Sequence, residues 1–531
     1  MTRPNHLRLR KLDRRQFVAG AAGLGLAAPF LGHGTGTIAA PARQEGTPTP
    51  GGILKVGLQA DPTALDPHKQ SLTAIWHVIE HIYNGLTRIT TPDLTIEPSL
   101  AEGWEISEDG LSYMFVLRDG VTFHDGTPLK ASDVKFTFER LVDPATASTS
   151  ASELASMKSI EVNDDRTVVI TLTAPDAAFL TTLAQPALVI YSEAFVRANN
   201  NDISQVAMGT GPFKFVEYVP NTRIVLEKNP DYWEEGLPYL DGIEMTIAAD
   251  DTSRTAAIVS GAVDFIEYVP LRDVDSLQQD PNLALAGETN NNIRFIGFNL
   301  TKEPFDDPLV RQAIAAVVDR EAMLGPTVFG HGTPVEALFP ATFWAALPQE
   351  AQPPDIERAK ALMEEAGHAD GFSTTITSWS QYSFLSNAAV VLQEQLRQIG
   401  IEAELNLVEN ATMFDQVYSD NRTFDIAVTG ESAFVDPNTL ILPNFKTGES
   451  SNFTSYSNED VDALIEQGIA TTDQEERTTI YQELQKILLE DLPWINLFVA
   501  NQYEAMKANV KGYVHIPTGS NISFRTTWLE G

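Results

Sequence analysis

A mostly apolar stretch, Ile293–Leu300 (IRFIGFNL), leads almost directly into a helix-like stretch, and this junction constrains the chain more than any other segment. The stretch is short and rich in Ile and Phe, which reads as a buried strand. Asp306-Asp307-Pro308 then supplies a capping carboxylate and a proline suited to a first helical turn. Val310, Ile314 and Val317 fall on one helical face, while Arg311, Asp319 and Arg320 are expected to point elsewhere. A buried strand feeding an amphipathic helix reads as the chain passing from one lobe into another. Trp494–Tyr503 (WINLFVANQY) is a second such crossing. Two extended crossings make a hinge, and a hinge without evident catalytic apparatus points to ligand capture.

The length of 531 residues corresponds to about three domains. Net charge is −36; residues 1–42 carry six bases against one acid, so the remainder carries −41. Such a field repels nucleic acid and anionic lipid and favours neutral or cationic ligands. The chain has no cysteine, which excludes disulfides, thiolate catalysis, cysteine metal sites and a lipid-modified cysteine anchor. Near the start, Asp13–Val18 (DRRQFV) precedes a weakly apolar, glycine-broken run, Ala19–Leu31, too short to span a membrane. Paired arginines followed by Phe resemble the twin-arginine export signal. Ala40-Pro41-Ala42 offers a cleavage site, with Thr37-Ile38-Ala39 competing, and Gly46–Gly52 (GTPTPGG) reads as a spacer. A signal peptide over 1–42 and a flexible linker over 43–51 are therefore expected, with the mature protein working outside the cytoplasmic membrane.

Hydrophobic patterning along the mature chain predicts strands at Ile53–Leu58, Ser112–Leu117 and Val168–Leu172, helices at Ala74–Asn84 and Ala131–Leu141, and a hairpin from Phe213–Tyr218 to Arg223–Glu227. Ile243–Ile247, Asp251–Ser260 and Val263–Tyr268 read as strand, helix and strand, which points to a parallel pair with a helical crossover. After the first crossing the same grammar returns as Phe372–Thr377, helix Leu385–Ile399, strand Ile401–Leu407, helix Ala411–Asn421 and strand Phe424–Thr429. Asp473–Glu490 is a late amphipathic helix before the second crossing.

In open α/β sheets, ligands lie beyond the carboxyl ends of parallel strands. In the second lobe those ends present Trp379 and Tyr382, then Asn410, then Glu431: an aromatic platform, an amide and a carboxylate. These four are the candidate substrate-binding residues. A competing constellation is His77-Val78-Ile79-Glu80-His81, which fits the H-x-x-E-H pattern of some zinc peptidases. Two histidines on one helical face need a third protein ligand, and no downstream segment advertises one. A pair of surface or interlobe histidines is the favoured reading. No nucleophile elbow, phosphate loop or dinucleotide fingerprint follows a strand, and no catalytic residue, metal or cofactor is expected. Asp250-Asp251 and Asp306-Asp307 fall where helix caps belong.

Several ordered motifs carry a family resemblance. They are Ala101–Trp104 through Leu141, with Leu117-Arg118-Asp119-Gly120 and Phe123-His124-Asp125-Gly126, then Gly209–Phe213 with Asn229–Trp233. Phe298-Asn299, Pro304-Phe305, Val310–Ala313, Tyr456–Asn458 and Leu492-Pro493 extend the series. Over nearly all of residues 52–531 the chain resembles the extracytoplasmic solute-binding proteins of ABC importers, in the peptide- and nickel-binding class. The resemblance implies an α/β fold of the periplasmic-binding-protein type II kind, a two-lobed clamp with an additional inserted domain. Lobe I would comprise about 52–96, 209–292 and 500–531, an inserted lobe II 97–208, and lobe III 293–499. It further implies a monomer that captures a peptide between lobes I and III and presents it to a membrane permease. In peptide-binding members an aspartate after a late strand meets the peptide's ammonium; Thr429-Gly430-Glu431 is the matching stretch here, with Glu431 in that place. Oligosaccharide or another small solute is the alternative ligand, and a secreted zinc peptidase using His77, Glu80 and His81 the alternative from another class.

Overall fold

The computed structural model describes residues 46–531 apart from 71–72, 421 and 432–434. The expected export signal lies outside these residues. The two crossings pair with each other: Leu283–Phe298 runs antiparallel to Trp494–Lys507, from Leu283 opposite Lys507 to Gly297 opposite Trp494. Together they form the middle of an 11-stranded sheet. On one side follow Ile426–Glu431, Phe372–Trp379 and Ile401–Val408. On the other side Phe265–Ile266 leads to Ile53–Leu58, Gly242–Ile247, Arg223–Lys228 and Phe213–Val219.

The first crossing begins ten residues before its apolar stretch, at Leu283. The added segment, with its Gly287 and Asn290–Asn292, carries no strand-like hydropathy; backbone pairing with the second crossing makes it a strand. At Gly287 (φ 135°) the partner strand comes so close that a Cβ would lie 2.0 Å from the Gln502 carbonyl oxygen. The pairing then slips. Thr289 faces Asn501 and Ile293 faces Val499, so Asn290, Asn291 and Asn292 are set against Ala500 alone.

The helix after the first crossing, Pro308–Val317, starts as its sequence predicts, with Asp307 accepting from the Leu309 amide at 2.8 Å and Val310, Ile314 and Val317 buried. Two nearby arginines lie on different elements, Arg311 on this helix and Arg320 at the start of the next, Arg320–Val328. Arg311 is buried and donates to the carbonyls of Phe305 (2.8 Å) and Asp491 (2.9 Å), and Arg320 donates to the Asn496 carbonyl at 2.7 Å. Long stems carry the Arg311 guanidinium to carbonyls at Phe305 and at Asp491, just before the second crossing, and that of Arg320 to a carbonyl within the crossing itself.

The expected parallel pair also differs. Gly242–Ile247 and Phe265–Ile266 do not touch; Ile53–Leu58 lies between them, parallel to both. The helical crossover Asp251–Val259, capped by Asp250, therefore spans an intervening strand. In the second half, Phe372–Trp379 is parallel to Ile401–Val408 on one side and Ile426–Glu431 on the other. Helix Ser383–Leu396 connects the first two, and Gly400 (φ 80°) ends the turn beyond it. The second connecting helix is only Asn410–Met413, continued by a π-helical turn over Phe414–Tyr418.

A separate four-stranded antiparallel sheet, ordered Ala101–Ile106, Ser112–Leu117, Thr167–Leu172 and Met157–Val162, packs against helix Ala131–Val142 around Phe115, Val134, Phe138 and Ile170. Leu94, between the short strands Thr87–Ile89 and Ile96–Pro98, and Ile516, near the C terminus, join the same apolar cluster as Met413, Val417 and Phe339. Segments flanking the first half of the sheet thus reach the core of the second. No helix among the described residues is long and apolar enough to cross a membrane.

Candidate ligand-binding site

Trp379 is the last residue of its strand, Glu431 the last of the neighbouring parallel strand, and Asn410 opens the helix after the third. Parallel pairing places these carboxyl ends side by side. Trp379 is fixed by its Nε1, which donates to Thr429 Oγ1 at 3.2 Å, while the Tyr418 hydroxyl meets the same oxygen at 2.8 Å. Tyr382 lies edge-on to Trp379 with ring centroids 5.9 Å apart, and Phe414 does likewise at 5.8 Å. Tyr382 is 43% exposed and Phe414 58% exposed, so the cluster offers an open aromatic face rather than a closed core. Asn410 is exposed and accepts from the Gln381 amide beside Tyr382. The structure thus gathers Trp379, Tyr382 and Asn410 at one rim. Glu431 joins them two residues after Thr429.

Glu431 is part-buried, and burial pushes its carboxyl up to about 7 against the opposing influence of Arg294. Arg294 stands opposite Gly430 on the first crossing. Burial brings its guanidinium down to about 10, with Glu431 acting in the other direction. Arg294, Phe414, Tyr418 and Thr429 escape the positional rule for strand ends, because three lie within elements and Thr429 is inside its strand. Arg294 alone left a signal: a cation inside an otherwise apolar strand.

The histidine motif has a different fate from the surface or interlobe position expected of it. His77 and His81 are 1% and 0% exposed. His77 Nδ1 is bonded to Glu267, Glu80 accepts from the Asn521 amide at 2.7 Å, and the His81 ring stacks on Phe524 at 5.1 Å. These partners tie helix Thr73–Ile82 to strand Phe265–Ile266 and to the C-terminal segment, and no group of three or more metal-type side chains poised for an ion occurs among the described residues. The motif is packing.

A sheet divided by two crossing strands, with the candidate ligand residues at the strand ends of one half, is the architecture of a two-lobed solute-binding protein. The profile of "bacterial extracellular solute-binding proteins, family 5" (middle region) matches residues 95–453. The glutathione-binding protein GsiB of Salmonella typhi is 31% identical over 471 residues, covering 87% of this chain and 92% of that protein. Among solved structures, AgaA of A. tumefaciens R10 in complex with agropinic acid shares 33% identity at a TM-score of 0.74, covering 90% of this chain and 99% of that one. DppA from Helicobacter pylori in complex with the peptide STSA shares 28% at 0.74, covering 91% and 99%. The chain belongs to the bacterial extracellular solute-binding proteins of family 5, receptors of ABC importers.

Proposed function

We propose that this receptor captures peptides between its two lobes and delivers them, unchanged, to the permease of its importer. The observation that carries the reading is Glu431, a carboxylate held part-buried at a strand end beside an aromatic platform, with no hydrogen-bonded cation among the described residues. A ligand ammonium would supply the missing charge, and the pairing strengthens as the cleft closes and dries. Trp379 and Tyr382 would pack on the ligand, and Asn410 would bond it at the rim. The names of GsiB and the DppA complex, both peptide-type ligands, support the same class.

The lobes of this reading are 52–96, 209–292 and 500–531 for lobe I, 97–208 for the inserted lobe II, and 293–499 for lobe III. The separate core around Phe115 and Phe138 supports the insertion. The chain acts as a monomer, without catalysis or cofactor, and reaches its compartment through the twin-arginine-type leader without a cysteine anchor. A second reading, a non-peptide small solute or oligosaccharide, is favoured by the open aromatic face and by AgaA's agropinic acid.

Mass spectrometry of the small molecule released on denaturing the purified protein tests the ligand class directly. Glu431→Gln is expected to weaken amine-bearing peptides by about tenfold or more while leaving the melting temperature in place. Unchanged calorimetric affinity would reject the role of Glu431.

A further inference from the structure

Arg294 and Glu431 are two charges at one strand end that do not satisfy each other. Elsewhere in the same half, Arg477 and Asp436 close a buried fork with both contacts at 2.8 Å. Arg294, set opposite Gly430 on the adjoining strand, closes no such fork with the Glu431 carboxylate. Its side chain lies across Gly430, where a Cβ would come within 2.7 Å of Cδ and 2.8 Å of Nη1. The missing side chain lets the guanidinium run toward the carboxyl end of Ile426–Glu431. There Nη1 donates to the Ile293 carbonyl at 3.1 Å and, at 3.5 Å, to the backbone carbonyl of Glu431 rather than to its carboxylate. Cζ sits 4.8 Å from the centroid of the Phe384 ring, and Nε is buried without a hydrogen-bond partner among the described residues. Nη2 has no hydrogen-bond partner among the described residues.

We infer that Arg294 and Glu431 together recognise a zwitterionic α-amino-acid head group, the guanidinium taking its carboxylate and Glu431 its ammonium. This deepens the peptide reading and rests on Glu431 as the ammonium partner. The ligand class that follows carries both charges on one carbon: a peptide whose first linkage leaves from a side-chain carboxyl, or an amino-acid conjugate of similar head. An ordinary α-linked peptide brings the ammonium alone. Its first carbonyl is neutral, which leaves the Arg294 fork uncompensated in a drying cleft. The mutual influence of the two charges, with burial acting against both, fits a site completed by a ligand of both signs.

The test is calorimetry on the mature chain with two isomers, glutathione (γ-linked) and α-linked Glu-Cys-Gly, both kept reduced. Two analogues lacking one charge each complete the set: γ-aminobutyryl-Cys-Gly without the carboxylate, and glutaryl-Cys-Gly without the ammonium. Glutathione is expected to bind about tenfold or more tighter than its α-linked isomer. Arg294→Gln should remove that preference while weakening γ-aminobutyryl-Cys-Gly far less than glutathione, and Glu431→Gln should weaken glutaryl-Cys-Gly far less than glutathione. Arg294→Lys, which keeps the charge and loses the fork, should recover part of the glutathione affinity. The comparison of isomers needs no variant, so a folding defect in Arg294→Gln leaves the test intact. Equal binding of the isomers, or preference for the α-linked one, overturns the zwitterion site and leaves the peptide receptor standing. Absence of binding by all four probes overturns the zwitterion site; if a wider panel of α-linked peptides also fails, the peptide reading falls with it.

Discussion

At the scale of single residues, Glu431 sets a pH dependence. Its carboxyl, pushed up to about 7 by burial, must ionise before it can hold an ammonium. Affinity for amine-bearing ligands should therefore rise with pH from 6, by about fivefold at a crest near pH 7.5, and fall again as the ligand's own ammonium deprotonates near pH 8. Calorimetry across that range reads it, and a flat profile would remove the carboxylate from the site. His77 gives a stability counterpart. Burial alone would lower its ring, but Glu267 beside it and the further carboxylates Glu80 and Glu504 lift it to about 9. With a folded value above the unfolded one, its contribution is complete below about 6.5 and disappears as pH rises through 9. His77→Leu leaves Glu267 buried and unpaired, so a loss of about 3 kcal/mol is expected at pH 7, narrowing past pH 9. Urea denaturation at the two pH values checks both halves. Trp379 and Glu431 were legible because strand ends are positions, which sequence patterns locate. Arg294 showed only as a cation inside an apolar strand, with nothing to say what it faces, and helical spacing placed His77 and His81 on one face without saying what covers it.

At the scale of elements, most strands and helices lie within a few residues of their sequence patterns, Ile53–Leu58 and Ser112–Leu117 among them without displacement. The misses share a cause. Leu283–Ala286 and Asn290–Asn292 became strand, and Gly242–Ile247 gained Ile53–Leu58 as neighbour, through pairing with distant segments that local hydropathy does not report. The π-helical turn at Phe414–Tyr418 likewise shortens a helix that periodicity alone would continue. Gly287 is the element-scale test. Gly287→Ala places a Cβ against the second crossing at positive φ, and a loss of about 1–3 kcal/mol is expected in thermal unfolding. An unchanged melting temperature would show that the crossings are not held at this contact.

For the whole molecule, two crossings in the sequence were enough to indicate a hinge, but not that one sheet runs through it. The link beyond the second crossing is Phe265–Ile266, a two-residue strand inside the expected Val263–Tyr268, whose pairing with the second crossing no local pattern announces. A receptor that closes on its ligand is stabilised by it. At a concentration a hundredfold above Kd the unfolding free energy should rise by about 2.7 kcal/mol, and the radius of gyration in solution scattering should fall. A ligand that binds without either change would separate capture from closure.

The three-against-one slip at Asn290–Asn292 carries a mechanical consequence. Regular pairing runs up to it from Leu283, and a second slip follows between Arg294 and Phe295, so the irregular part of the joint lies between Asn290 and Phe295. A pair of spectroscopic labels spanning that slip is expected to change separation when the receptor takes up its solute, and an unchanged separation would move the hinge elsewhere.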